Sequence, residues 1–183
     1  MNTFEQDLQE AVAFHGHLCG GQMSGVRMAR YALRLLGIEE PKKSKRLICY
    51  IETDRCITDA IGTVTGCSLG RRTLKWLNYG KMAATFVDLE TNKAVRISSN
   101  GKHYAPQGAD LVEYFSKLTD EDLFNVQWVT VDMAPGDLPG PPCATAVCSQ
   151  CGESVLDGKH IIRNGRVLCR ACADGAYYKP AQD

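Results

Sequence analysis

The sequence predicts an α+β core followed by a small zinc finger, and three observations lead there. Over residues 1–133 helical and strand-like patterns mix without the regular strand–helix alternation of a parallel sheet. Residues 134–145, APGDLPGPPCAT, then hold four prolines and two glycines, which neither a helix nor a central strand tolerates. Two Cys-x-x-Cys pairs follow, Cys148/Cys151 and Cys169/Cys172, with seventeen residues between them. The domain organisation is therefore a core over 1–133, a semi-rigid linker over 134–145 and a four-cysteine zinc finger over 146–183.

Each core element has its own signal. Phe4, Leu8, Ala11 and Val12 fall at helical spacing, predicting an amphipathic helix over 4–14. Glycines at 16, 20 and 21 interrupt it, and a second helix is expected from Gln22 to Leu36, closed by Gly37. EEPKKSKR (39–46) reads as a solvated polar connection. RLICYIE (46–52) reads as a buried strand, and Asp59 to Gly66 as a short helix ending at a glycine. TLKWLNYG is ambiguous. AATFVDLE and KAVRISS, joined through Thr91-Asn92, predict a β-hairpin. Ala109–Leu118 and Asp120–Phe124 read as helical, the second opened by Thr119, and VQWVTVDM (126–133) as a last strand.

Charge narrows the function classes. The 183 residues carry 21 Lys+Arg against 21 Asp+Glu. The balance is local too: residues 1–133 have 16 of each sign, and residues 146–183 have five basic and four acidic. A nucleic-acid or membrane-surface binder carries a basic excess, so neither partner is expected. No run of about 18 apolar residues exists to span a membrane. MNTFEQDLQE is acidic and lacks the basic-then-apolar pattern of a secretory signal, so a cytoplasmic location is expected.

In a reducing compartment, nine cysteines point to metal ligands or reactive thiols rather than a disulfide framework. A Cys-x-x-Cys turn brings two thiolates within reach of one ion, and two such turns complete a tetrahedron about Zn2+. About 35 residues cannot bury enough apolar area alone, so the metal supplies folding energy. Zinc is favoured over a redox disulfide pair or an iron site. Without a basic face, interaction or structure is the finger's expected role.

A second constellation is Phe14-His15-Gly16-His17-Leu18-Cys19-Gly20-Gly21, with three candidate ligands in five residues. Cys19 stands just before a helix start, where free N–H groups favour a thiolate. His17 and Cys19 alternate and would point the same way in an extended segment. The bland alternative is two hydrogen-bonded histidines and a buried free thiol. Glu52 to Ile61 adds Cys56 and Asp59 at the end of the first strand, and Gly66-Cys67-Ser68 adds another thiol. Cys49, inside an apolar strand, reads as core. GCSLGRRT lacks the lysine and spacing of a phosphate loop, and GGQMSG is not the dinucleotide pattern.

Three functional readings follow. The first is a metal-binding accessory protein holding a second transition metal, with Zn2+ the expected ion, through His17, Cys19 and Cys56, with Cys67 near and His15 available. Asp59 would be a ligand, an orienter of His17 or a proton acceptor. The second is a metal-independent thiol enzyme with Cys19 as nucleophile and His15 or His17 as base. The third is a non-enzymatic adaptor acting through its finger.

FHGHLCGGQMSGVRMARYAL, ETDRCITDAIGTVTGCSLG and YGKMAATF, in that order, resemble the FmdE-like family of formylmethanofuran dehydrogenase components from about Phe14 to Met133. Some members carry a C-terminal treble-clef finger, which residues 146–175 fit, so the tail is expected to be of treble-clef or zinc-ribbon type. Gly20, Gly62 and Arg71-Arg72-Thr73 depart from the family's usual proline, glutamine and Lys-Gly-Asn. The first departure changes loop stiffness, and the others alter polar contacts of the pocket. The resemblance implies a homodimer and a metal or reactive pocket built from the His15–Cys19 and cysteine-bearing loops. It also implies association with subunits of a molybdenum or tungsten oxidoreductase of methanogenesis, and a small-molecule ligand it does not name.

Overall fold

The computed structural model describes residues 2–181. Two compact units divide the chain, one ending at Val131 and the other beginning at Asp132. The first is a mixed α/β layer structure. Helix α1 (Phe4–His15) opens with a reciprocal cap, in which Thr3 accepts the Gln6 N–H and the Gln6 side chain accepts the Thr3 N–H. Gly16 ends it at φ 96°, a left-handed conformation that also turns the chain toward His17. Helix α2 (Gly20–Leu36) starts two residues earlier than Gln22, because the Cys19 sulfur takes the N-cap role and accepts the Gln22 N–H. Gly37 closes it in the left-handed region, as expected.

The 39–46 segment differs from the polar loop read in the sequence. Pro41–Ser44 forms one helical turn, α3, with Pro41 at the first position, where its fixed φ suits a helix and its missing N–H costs nothing. Strand β1 (Leu47–Ile51) then leads to α4 (Ile57–Thr65), ended by Gly66 at φ 74°. The ambiguous TLKWLNYG contributes a three-residue edge strand, β2 (Leu74–Trp76), parallel to β1. The hairpin of β3 (Ala83–Asp88) and β4 (Ala94–Ser99) forms as expected, with Asn92 at positive φ in its turn.

Helices α5 (Leu111–Ser116) and α6 (Asp120–Leu123) carry caps from Asp110 and Thr119. Strand β5 (Phe124–Val129) begins and ends earlier than the 126–133 read in the sequence. Its ladder stops at Val129 because the partner, β4, starts at Ala94, the residue opposite. The sheet order is β2-β1-β3-β4-β5, antiparallel except between β1 and β2. Cys49, Ile51, Phe86, Val95 and Ile97 belong to one buried cluster with Met23, Val26 and Leu33 of α2 and Ile57 and Ile61 of α4. Burying side chains of this size stabilises the core by about 1.5–3 kcal/mol each.

In the second unit the proline-rich segment is more than a spacer. Pro135–Asp137 makes a 3-10 turn, and Gly136 lies so near Asp157 that an added Cβ would stand 2.6 Å from its carbonyl oxygen. Strands β6 (Thr145–Val147) and β7 (Ser154–Leu156) form one antiparallel pair, β8 (Ile161–Arg163) and β9 (Arg166–Leu168) another, and α7 (Arg170–Asp174) follows. Asn164 and Gly165 both have positive φ, as the tight turn between β8 and β9 requires. No helix among the described residues is long and apolar enough to cross a membrane.

Candidate metal centres

The finger's ligands come from two turns. Cys148 leaves β6 and Cys151 lies in the tight turn before β7, where Gly152 adopts φ 76°. Cys169 is the N-cap of α7 and its sulfur accepts the Cys172 N–H. One sulfur from each of the four cysteines falls within 4.8 Å of the other three, with Cys151 and Cys169 3.8 Å apart. Backbone N–H groups of Cys151 and Cys169 hold the Cys148 thiol down to about 6. Its neighbour Cys172 is pushed up to about 12, first by the Cys169 thiol and then by burial. Four sulfurs this close cannot all ionise against one another, and a divalent cation removes that conflict.

The core group is built where α1 ends and α2 begins. Gly16 turns the chain between them, and one ligand atom each from His15, His17 and Cys19 lies within 4.8 Å of the others. The two imidazole centroids are 4.7 Å apart. His17 is exposed, whereas His15 and Cys19 are half-buried. Asp59, on the first turn of α4, sits 2.8 Å from Nδ1 of His15. An ionised carboxylate only accepts, so Nδ1 carries the proton and Nε2 presents its lone pair. That Nε2 is buried and has no hydrogen-bond partner. A histidine held by a carboxylate on one nitrogen and left open on the other is arranged as a metal ligand. Ligand atoms around zinc lie about 3.3–3.8 Å apart, so the trio would close by about 1 Å on binding.

Other sequence-selected residues lie nearby in different ways. Cys56, the residue before α4, stands outside the trio but borders Cys19. An added Cβ at Gly21 would lie 3.6 Å from each of their sulfurs and 2.8 Å from Cys56 Cβ. Burial, and then the hydrogen bond with the Cys19 thiol, push the Cys56 thiol up. Cys67 sits apart. Its sulfur receives a hydrogen bond from Cys49 at 3.7 Å and donates to the Leu47 carbonyl at 3.5 Å. The Cys49 bond is also the main reason its thiol is lowered, while burial raises Cys49 well above the ordinary range. Asp59 therefore orients His15, not His17, because α4 packs beside the end of α1.

A cavity of about 460 Å³ opens on this group, lined by His15, Arg55, Cys56, Asp59, Leu74 and Trp76 among others. Gln22 is a residue the motif reading passed over. It is fully buried, and its Nε2 donates to the Cys56 carbonyl at 2.8 Å, tying the start of α2 to that of α4. Its neighbours Gly21 and Gly25 had a visible signal, being four apart on one helix face.

Comparison with known proteins places this architecture. The family model described as FmdE, molybdenum formylmethanofuran dehydrogenase operon, matches residues 14–125. The chain belongs to the FmdE family. A second model, the prokaryotic dksA/traR C4-type zinc finger, matches residues 144–178, which agrees with zinc at the four finger cysteines. The crystal structure of an FmdE-like protein of tungsten formylmethanofuran dehydrogenase from Syntrophus aciditrophicus is similar in fold. It has a TM-score of 0.62 at 24% identity, covering 97% of this chain and 96% of that one. A probable S-adenosyl-L-methionine-binding protein of Archaeoglobus fulgidus is 29% identical over 93% of this chain. This FmdE-family chain spans about half of that relative, 53% of its length.

Proposed function

We propose that the core binds a transition metal, Zn2+ the expected ion, through His15, His17 and Cys19, and that the finger's zinc is structural. The observation carrying this is the open, buried Nε2 of His15 opposite its Asp59 bond. Imidazole and thiolate donors suit zinc and related borderline ions. A metal held by three protein ligands supplies Lewis acidity at its open position. Asp59 keeps the His15 ring turned toward the ion, and Gly16 lets His17 and Cys19 face it. Cys56 stands beside Cys19, and Cys67 belongs to the cavity wall rather than to the ligands.

The adjoining cavity, with Trp76 and Arg55 in its wall, is the place for a small ligand. S-adenosylmethionine is the first compound to assay there, given the name of the Archaeoglobus relative. The accessory role includes self-association as a homodimer and contact with subunits of a molybdenum or tungsten oxidoreductase. Light scattering at twice the 20.1 kDa of one chain supports the dimer, and a monomer mass contradicts it.

Metal analysis of the full chain tests the core site. Two ions per chain are expected, falling to one in the His15→Ala/His17→Ala double variant. One ion per chain in the unaltered protein overturns the reading. If that metal-free core is also alkylated rapidly at Cys19 at neutral pH, the thiol-enzyme reading takes its place, since both imidazoles lie beside that sulfur.

A further inference from the structure

The nine cysteines sort by environment. Four build the finger, Cys49 and Cys67 form a hydrogen-bonded pair closed off from solvent, and Cys143 is exposed. Cys19 and Cys56 are different, because both are half-buried and they face each other across the glycine notch at Gly21. Thirty-seven positions separate them in the chain, so only the packing of α2 on α4 brings them together. Two features hold that approach. Gly21 has no Cβ, and one added there would stand 2.8 Å from Cys56 Cβ, too close for any side chain. Gln22 sends its backbone N–H to the Cys19 sulfur at 3.4 Å and its side-chain Nε2 to the Cys56 carbonyl at 2.8 Å. A single residue thus fixes both partners, and no side chain needs to move from between them. The two thiols already share a hydrogen bond.

We propose that Cys19 and Cys56 are a redox modification site, forming a reversible disulfide with a peroxide that withdraws Cys19 from the core metal. The proposal rests on the metal reading above only for this last consequence. In the first step the Cys19 thiolate attacks one oxygen of hydrogen peroxide and the O–O bond breaks. Cys19 becomes a sulfenic acid, and the departing hydroxide takes a proton to leave as water. The Cys56 sulfur then attacks the sulfenic sulfur, the S–S bond forms, and hydroxide leaves with the Cys56 proton as a second water. Two thiols lose two electrons, and one peroxide becomes two waters. A dithiol reductant returns two electrons and two protons and restores both thiols.

The buried Cys49–Cys67 pair does not compete, because Cys49 has no solvent exposure and peroxide cannot reach it. A sulfur engaged in a disulfide is no longer an anionic ligand. The ion would be left with His15 and His17, and the exposed His17 is the weaker hold of the two. Metal loss at the core is therefore the expected companion of oxidation.

The test uses zinc-loaded full-length protein treated with hydrogen peroxide, alkylated, digested and mapped by mass spectrometry. A peptide pair joined at Cys19 and Cys56 is expected, about 2 Da lighter than the reduced pair for two lost hydrogens. It disappears with dithiothreitol. A chromogenic chelator should read zinc release that tracks the appearance of this pair, and re-reduction with added zinc should restore the original stoichiometry. In Cys56→Ser no linked pair forms, and Cys19 proceeds to the sulfinic acid, which dithiothreitol does not reverse. Finding Cys19 unlinked to Cys56 at full oxidation of the chain overturns the proposal. A linked pair with the core zinc still bound overturns the switch. A linked pair in a protein whose core never held metal supports the disulfide and refutes the metal reading instead.

Discussion

Asp59 touches no ion in the proposed site, yet it decides which nitrogen of His15 is available. Replacing it with alanine frees the ring to turn and to change tautomer, so core zinc affinity should fall about 10–100-fold. Asparagine keeps an acceptor for Nδ1 but not the charge, so Asp59→Asn should fall by less. Competition with a calibrated chelator measures both, and unchanged affinity in Asp59→Ala would remove Asp59 from the site. A second residue-scale case is Glu52, at the end of β1. Its carboxylate is 5% exposed and accepts from Arg96 at 2.7 and 2.8 Å. Chiefly through those bonds, Arg96 holds the Glu52 carboxyl below the usual range. A carboxyl lowered on folding contributes stability above its unfolded pKa and loses it as pH falls through the folded value. Arg96→Met strands the carboxylate and should cost about 2–3 kcal/mol at pH 7. Urea unfolding should show that difference shrinking below about pH 4, where Glu52 protonates. A difference independent of pH would mean that packing, not the ion pair, was lost.

Helices α2 and α4 bring the site together, and their approach depends on two glycines. A Cβ at Gly25 would stand 2.6 Å from Ala60 Cβ and 3.0 Å from Ile57 Cα. Those atoms are a backbone carbon and a side chain with no rotamer to change, so the helices themselves must separate. Gly25→Ala should therefore destabilise the core by about 1–3 kcal/mol, although alanine is the better helix former by about 1 kcal/mol. Ala60→Gly in the same chain relieves the closest contact and should recover part of the loss. Denaturant melts of the two single variants and the double variant test this, and a stabilised Gly25→Ala would refute it. Arg27 of α2 works at the same scale. It binds Asp120 and the carbonyls of Phe115 and Leu118, tying α5 and α6 onto the helix that carries Cys19.

At the scale of the molecule, the two compact units draw their stability from different sources. The first has a buried cluster running from Leu8 to Phe124. In the second, Cys148 and Leu168 are the buried apolar residues, which is too little to fold a segment of that size without a metal. Cys148→Ser or Cys169→Ser should lose one zinc per chain and make the tail protease-sensitive, while the core keeps its unfolding midpoint. Limited proteolysis with metal analysis reads both. Retention of full zinc by either variant would end the assignment of these cysteines as ligands.

Whatever local chemistry encodes was legible before any packing was known. The α+β class, the four-cysteine finger, the β3–β4 hairpin and the caps at Gly37, Gly66 and Thr119 all follow from periodicity and short spacings. His15, His17 and Cys19 were legible as a group because five residues around one glycine contain them all. Edge strand β2 was not, since three residues have no period to read and Leu74–Trp76 become a strand only by pairing with β1. The proline-rich segment was read as a spacer because composition reports stiffness, not the packing of Gly136 against Asp157. Asp59 on His15, Cys56 beside Cys19, and Cys67 turned away onto Cys49 came from tertiary packing alone. Each joins residues 18 to 44 positions apart, and such separations are set by how closely two elements pack, which no spacing within either one records.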